Sequence, residues 1–125
     1  MKDACPCGLA RAFEACCGRY LGTGRPVPDA EALMRSRYTA FVRGDTAHLL
    51  ATWHPSRRPL ALEVDAGTKW LGLEVKRHTP VDADHAEVEF VARSRTQGRG
   101  QRLHERSRFV REQGCWFYVD GDILN

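Results

Sequence analysis

Four of the five cysteines fall within the first seventeen residues, as Cys5-Pro6-Cys7-Gly8, seven further residues, then Cys16-Cys17-Gly18. No other feature restricts the fold as much, because thiols this close in sequence are placed to share a metal or to form disulfides. A tetrahedral structural zinc site takes four thiolates at about 2.3 Å. A Cys-x-Cys turn lets two sulfurs face one point. Gly8 supplies a residue that can take positive φ where the chain rounds the metal, and Pro6 stiffens the turn. Cys16-Cys17 then closes the cage. With one or two helical turns from about Arg11 to Cys17, Gly18 stands where helices commonly end.

The alternatives fit less well. Two disulfides are usual in small secreted domains, but Met1-Lys2-Asp3-Ala4 leads into the cysteines with no apolar targeting segment. A bond between adjacent Cys16 and Cys17 is strained, and bridges back to Cys5 or Cys7 crowd a tiny loop. A redox pair lacks a βαβ context, and iron–sulfur clusters use other spacings. Ligand type and spacing favour zinc on Cys5, Cys7, Cys16 and Cys17. A filled shell makes the site structural rather than catalytic, and its need for deprotonated thiols makes binding weaken in acid.

The run Cys5-Pro6-Cys7-Gly8-Leu9-Ala10-Arg11-Ala12-Phe13-Glu14-Ala15-Cys16-Cys17-Gly18 resembles the SEC-C motif, the zinc knuckle first recognised at the C-terminus of the SecA translocation ATPase. Leu9-Ala10 replaces the Ser-Gly usual there, and Phe13 stands where an aromatic packs over the metal loop. Further on, Ala30-Glu31-Ala32-Leu33-Met34-Arg35-Ser36-Arg37-Tyr38-Thr39-Ala40-Phe41 resembles the YchJ-like (UPF0225) proteins. So do Thr52-Trp53-His54-Pro55, Trp70-Leu71-Gly72-Leu73, His104-Glu105-Arg106-Ser107-Arg108-Phe109 and Trp116-Phe117-Tyr118-Val119-Asp120-Gly121. This resemblance implies an NTF2-like α+β cone after the knuckle, one structural zinc ion, and no particular reaction. Some relatives carry a second knuckle at the C-terminus; none is expected before Asn125.

Composition is consistent with this. A chain of 125 residues, 42% hydrophobic, buries one core. The knuckle is too small for a core of its own and depends on its metal. No run approaches the roughly 18 apolar residues of a membrane span. Reduced thiols without a targeting segment point to the cytoplasm. A net charge of +3 permits nucleic-acid contact without arguing for it.

Residues 1–21 read as the knuckle, 22–28 as a linker rich in Gly and Pro, and 29–125 as the cone domain. Asp29 is placed to cap a helix from Ala30 to about Val42, with Leu33, Met34, Tyr38, Phe41 and Val42 along one face. Gly44 ends it. Asp45 caps a second helix running to about Trp53, and His54-Pro55 stops that one. Period-two alternation follows. Leu60, Leu62 and Val64 predict one strand. Leu71, Leu73 and Val75 predict another, with Trp70, Gly72 and Glu74 on its opposite face. Ala86, Val88, Phe90 and Ala92 alternate with Glu87, Glu89, Val91 and Arg93. Leu103, Glu105, Ser107, Phe109 and Arg111 share a face, and a last strand runs from Cys115 to Asp120. Turns are expected at residues 82–84, 96–100 and 113–114. Helices followed by antiparallel strands give an α+β layout.

A curved sheet wrapped around helices leaves a mouth in which a ligand can sit. Arg35, Tyr38, Trp53, His54, Trp70, His104, Glu105, Trp116 and Tyr118 are the candidate pocket residues. Aromatics at alternating strand positions are more often core. His104 and Glu105 are neighbours on a strand and point to opposite faces, so they form no acid–base pair. His54 is explained by attraction to a helix C-terminus, and Cys115 as a small buried apolar residue. Arg93, Arg95, Arg99, Arg102, Arg106, Arg108 and Arg111 crowd one hairpin. They form a phosphate-binding surface or, as expected, a solvated face balanced by Glu87 and Glu89. Three readings follow in order: a protein-interaction module through the knuckle, a small-molecule binder or enzyme using the cone, and an RNA or ribosome contact through the arginines. Dimerisation is an expectation by analogy with NTF2-like sheets.

Overall fold

The computed structural model describes residues 3–124; Met1, Lys2 and Asn125, on which the expectations about a targeting segment and a second knuckle partly rest, lie outside them. Helix α1 spans Ala30–Arg43. It starts where expected because the Asp29 carboxylate accepts a hydrogen bond from the Ala32 N–H at 2.8 Å. Ala30, Leu33, Met34, Tyr38 and Ala40 are buried along it. Gly44 ends it in the left-handed region at φ 71°.

Helix α2, Thr46–Ala51, is capped by Asp45, which accepts from the His48 N–H at 3.0 Å. It stops two residues short of the expected Trp53 because the sheet captures the chain. The Tyr118 N–H donates to the Thr52 carbonyl and the His54 N–H to the Tyr118 carbonyl, each at 2.8 Å. Helix propensity at its end yields to this tertiary pairing.

Strands β1 (Thr68–Asp82), β2 (His85–Thr96), β3 (Arg99–Glu112) and β4 (Cys115–Ile123) form an antiparallel meander in the order β1-β2-β3-β4. Two hairpins turn on Gln-Gly pairs. Gln97 and Gly98 have φ of 51° and 77°, and Gln113 and Gly114 have 53° and 77°. Two positive φ values make type I′ turns, whose twist matches that of the strands. The turn expected over residues 96–100 therefore shrinks to its central pair, and Thr96 pairs with Arg99.

Two strand expectations are corrected. Residues 60–64 form no strand, and Leu60 is fully exposed. The segment lies between Pro59 and a turn in which the Asp65 carboxylate accepts from the Gly67 N–H at 2.8 Å, and period-two alternation without a neighbour to pair with makes no strand. In β1 the register shifts between Trp70 and Gly72. This bulge adds a residue and reverses parity. Trp70 thus joins Leu73 and Val75 against the core, while Leu71 is 47% exposed.

The core lies between α1 and the concave face of the sheet. Leu33, Met34 and Tyr38 meet Val88, Phe90 and Phe109. This is the α+β cone that the pattern implied. Cys115 corrects a smaller expectation: at the start of β4, beside an exposed turn, it is exposed rather than buried. Replacing Asp29→Ala removes the α1 cap. We expect a loss of about 0.5–2 kcal/mol, read as a lower urea midpoint with unchanged slope.

Candidate functional site

The knuckle is a hairpin too short for strands. Ala4 bridges Ala12, the Cys5 N–H donates to the Arg11 carbonyl at 2.8 Å, and Gly8 turns the chain at φ 92°. The single helical run expected over residues 11–17 is two short 3₁₀ turns, Phe13–Ala15 and Cys17–Arg19. Gly18 sits inside the second rather than at a helix end. A Cβ there would come within 2.7 Å of the Phe13 carbonyl oxygen, so glycine is required for close approach.

These turns gather Cys5, Cys7, Cys16 and Cys17. All four are buried, and their sulfurs lie within 4.8 Å of one another. The Cys7 and Cys16 sulfurs are 3.6 Å apart. A disulfide holds its sulfurs at about 2.05 Å. A tetrahedral thiolate site with bonds of about 2.3 Å places them roughly 3.8 Å apart. The all-sulfur donor set and its spacing fit a thiophilic metal ion. The thiols already titrate as a unit. The Cys17 thiol donates to Cys7 and lowers its pKa to about 5. Burial pushes Cys16 up to about 11, and the hydrogen bond to Cys7 followed by burial raises Cys17. One thiolate is easy and four are not, unless a cation joins them.

Helix α1 fastens the knuckle to the cone. The Arg35 Nη1 donates to the Cys7 carbonyl at 2.6 Å, and its Nε donates to Glu31 at 3.0 Å. The Cys5 sulfur is 3.7 Å from the Thr39 hydroxyl, and the Arg43 guanidinium lies 4.2 Å from the Phe13 ring centre. Arg35 therefore lies outside the cone lining and holds the cysteine loop.

The cone contains a cavity of about 310 Å³. Of the candidate residues, Tyr38, Trp53, Trp70, Glu105 and Tyr118 line it. His54 does not, and the helix expected to explain it ends at Ala51. Its Nε2 lies 3.0 Å from Glu112, and its Nδ1 lies 2.7 Å from the Ser56 hydroxyl. His104 is on the outer face, 2.6 Å from Glu89, as strand parity required. Trp116 borders a second hollow, of about 350 Å³, with linker residues including Pro26 and Val27.

The residue that sequence reasoning missed is Arg37, which is 6% exposed. It falls one turn after Leu33 and beside Tyr38, so a charge on an apolar helical stripe was the available signal. Its Nη1 donates to the Leu49 carbonyl and the Thr52 hydroxyl, both at 2.8 Å. Its guanidinium stands 5.2 Å from the Trp53 ring centre and 4.6 Å from that of Tyr118. Burial pulls its pKa down to about 10, against the opposing influence of Tyr118 and Glu105. The Glu105 Oε2 accepts from the Ser107 hydroxyl at 2.5 Å and the Tyr118 hydroxyl at 3.4 Å. Burial, then the Glu105 charge, pushes Tyr118 up to about 12. Gly121 makes room for this carboxylate, which a Cβ there would overlap. The indole N–H groups of Trp53 and Trp70 are buried and have no acceptor among the described residues.

Four arginines of the hairpin, Arg93, Arg106, Arg108 and Arg111, meet carboxylates, with Glu87 supplying one of these and Glu89 instead meeting His104. Arg108 meets Asp120 at 2.6 Å and Asp122 at 2.8 Å, and Arg106 meets Asp122 at 3.4 Å. Arg111 reaches Asp84 at 3.2 Å, Arg93 reaches Glu74 at 3.7 Å, and Arg106 lies 3.9 Å from Glu87. No helix among the described residues is long and apolar enough to cross a membrane.

The knuckle's tight packing is testable by substitution. Gly18→Ala forces the Phe13 carbonyl away and should cost about 1–3 kcal/mol, the usual range for overpacking. Gly100→Ala, which would meet nothing within 4 Å, should change stability by less than about 0.5 kcal/mol. Parallel thermal melts would compare the two.

Comparison with known proteins agrees with this arrangement. Residues 1–19 match the SEC-C motif, and residues 29–121 match the YchJ middle NTF2-like domain. A UPF0225 protein of Methylibium petroleiphilum is 62% identical over 95% of this chain and 88% of its own length. One from Polaromonas naphthalenivorans is 59% identical over 98% of each. The solution structure of a SEC-C motif containing protein from Rhodopseudomonas palustris superposes with a TM-score of 0.86 at 33% identity, covering 98% of this chain and all of that one. A crystal structure of another, from Psychrobacter arcticus, gives 0.80 at 30% identity, covering 98% of this chain and 84% of that one. The chain belongs to the YchJ-like UPF0225 family: an NTF2-like domain carrying an N-terminal SEC-C motif.

Proposed function

We propose that this chain is a cytoplasmic small-molecule-binding protein whose cone holds the ligand and whose knuckle, residues 1–21, is held by one structural zinc ion. The single observation that carries the ligand reading is the cavity. Its walls are mostly apolar, with Arg37, Glu105, Ser107 and Tyr118 as polar groups among them. An apolar hollow with a few convergent polar groups suits a small-ligand site. In support of zinc, four buried thiols within 4.8 Å of one another would fill the shell of a tetrahedral ion and leave no position for catalysis. The metal's part is to hold the loop, and the linker, residues 22–28, joins it to the domain that follows.

A second reading gives the knuckle a protein partner. Its outward residues Ala10, Arg11, Glu14 and Ala15 are exposed and remain free for contact. This reading ranks second because the cysteines themselves are buried and the loop is fastened to α1. The RNA reading ranks last, since Arg106 and Arg108 are already engaged by carboxylates.

Native mass spectrometry of untagged protein, purified gently from its own cells, tests both parts. We expect one zinc per chain with four deprotonated cysteines, and a further small mass that is lost in the cavity-filling Ala92→Phe variant. Zinc should be released as pH falls, because protons compete for the thiolates. A metal-free chain lighter by the hydrogens of two disulfides overturns the zinc reading. A further mass that Ala92→Phe retains overturns the cone reading.

A further inference from the structure

The polar groups of the cone cavity form two poles along one side chain. The Arg37 guanidinium covers the ring of Tyr118, 4.6 Å from its centre. The Glu105 carboxylate sits at the other end, accepting from the Tyr118 hydroxyl at 3.4 Å. Between and around them the lining is apolar, including Met34, Phe41, Phe90 and Phe109. Arg37 is buried, and no carboxylate oxygen among the described residues comes within 4.0 Å of it. Its Nη1 is committed to Leu49 and Thr52, but a guanidinium carries five N–H donors in a fork that matches a carboxylate. Glu105 uses Oε2 for both of its donors, Ser107 and Tyr118.

Each simple ligand leaves one pole unmatched. A plain anion suits Arg37 and is repelled by Glu105. A plain cation suits Glu105 and is repelled by Arg37. A neutral hydrocarbon leaves both charges facing a dry wall, which buried charges do not tolerate without partners. A volume of about 310 Å³ is near the small end of ligand pockets and suits a body of about one ring. Cationic Arg37 persists at neutral pH even with its pKa lowered to about 10.

We propose that the cone binds a small carboxylic acid with an apolar, one-ring-sized body and a hydroxyl or amino donor at the far end. The carboxylate meets Arg37, the donor meets Glu105, and Tyr118 lies alongside. This rests on the reading of the cone as a ligand site.

Calorimetric titration of the zinc-loaded full chain with four probes of one shape tests it: 4-hydroxybenzoate, 4-methylbenzoate, 4-methylphenol and p-xylene. The expected order puts 4-hydroxybenzoate at least tenfold tighter than each of the other three. Arg37→Met should cut its affinity at least tenfold and leave 4-methylphenol within threefold. Glu105→Gln should erase most of the preference for 4-hydroxybenzoate over 4-methylbenzoate. Should Arg37→Met fail to fold, Arg37→Lys keeps the charge without the fork and should still lose affinity for 4-hydroxybenzoate. The wild-type ranking needs no variant at all. Binding of p-xylene or 4-methylphenol as tight as that of 4-hydroxybenzoate overturns the proposed class and leaves the cone as a ligand site. No binding by any of the four overturns the cone reading as well.

Discussion

Four sulfur atoms within 4.8 Å of one another, all shielded from water, set the terms for the N-terminal knuckle of this structure. Water cannot screen them, so their mutual repulsion in the ionised state is large. Left as thiols they settle into one favoured thiolate, Cys7, with Cys17 as donor. A divalent cation removes the conflict and turns four repelling groups into four ligands. Without that cation nothing in the knuckle replaces it. Outside the cysteines, among the described residues, Leu9, Phe13 and Leu21 pack around the cluster, too little apolar surface to order a loop by burial alone.

The same helix that steadies this loop also furnishes the cavity. On α1, Arg35, Thr39 and Arg43 recur at four-residue steps and face the knuckle through Cys7, Cys5 and Phe13. Met34, Arg37, Tyr38 and Phe41 recur at three and four and line the cone. Two adjacent stripes of one helix thus serve two sites. Tyr38 stacks edge-on against Trp70 at 5.6 Å, and a Cβ on Gly8 would stand only 3.2 Å from the Leu73 carbonyl, so the knuckle also abuts β1 near that tryptophan. The cysteine loop is therefore a wall support of the cone as much as a separate module. That geometry moves the interaction reading behind the ligand reading, although sequence alone ranks them the other way.

What sequence reasoning reached and what it missed divide along a physical line. Local chemistry was legible: the cysteine quartet, the Asp29 and Asp45 caps, the Gln-Gly turn at residues 113–114, and the opposite faces of His104 and Glu105. Each depends on residues a few positions apart. Long-range pairing was not legible. The bulge near Leu71 moves Trp70 onto the core face, and no alternation pattern carries an extra residue in its phase. Residues 60–64 have strand-like alternation and no strand to pair with, while α2 is cut short by Tyr118, more than sixty positions away. Arg37 was hidden differently. Its neighbour Arg35 has the same chemistry, and only the helical phase separates a residue that faces the knuckle from one that faces the cavity.

The convex face of the sheet follows from the same economy of charge. Arg106 and Arg108 on β3 face Asp122 and Asp120 across the β3–β4 ladder. The register shift between Arg108 and Phe109 lets Phe109 stay opposite Tyr118 on the concave side while Arg108 stays opposite Asp120 on the convex one. Exposed pairs of this kind add little stability individually. Their effect is on association. A phosphate backbone would have to displace carboxylates already seated on the arginines, and a second sheet laid face to face would have to desolvate every pair. Arg106 and Arg108 therefore stand in solvent with their charges already matched by Asp120 and Asp122, held in place by the register of the ladder itself.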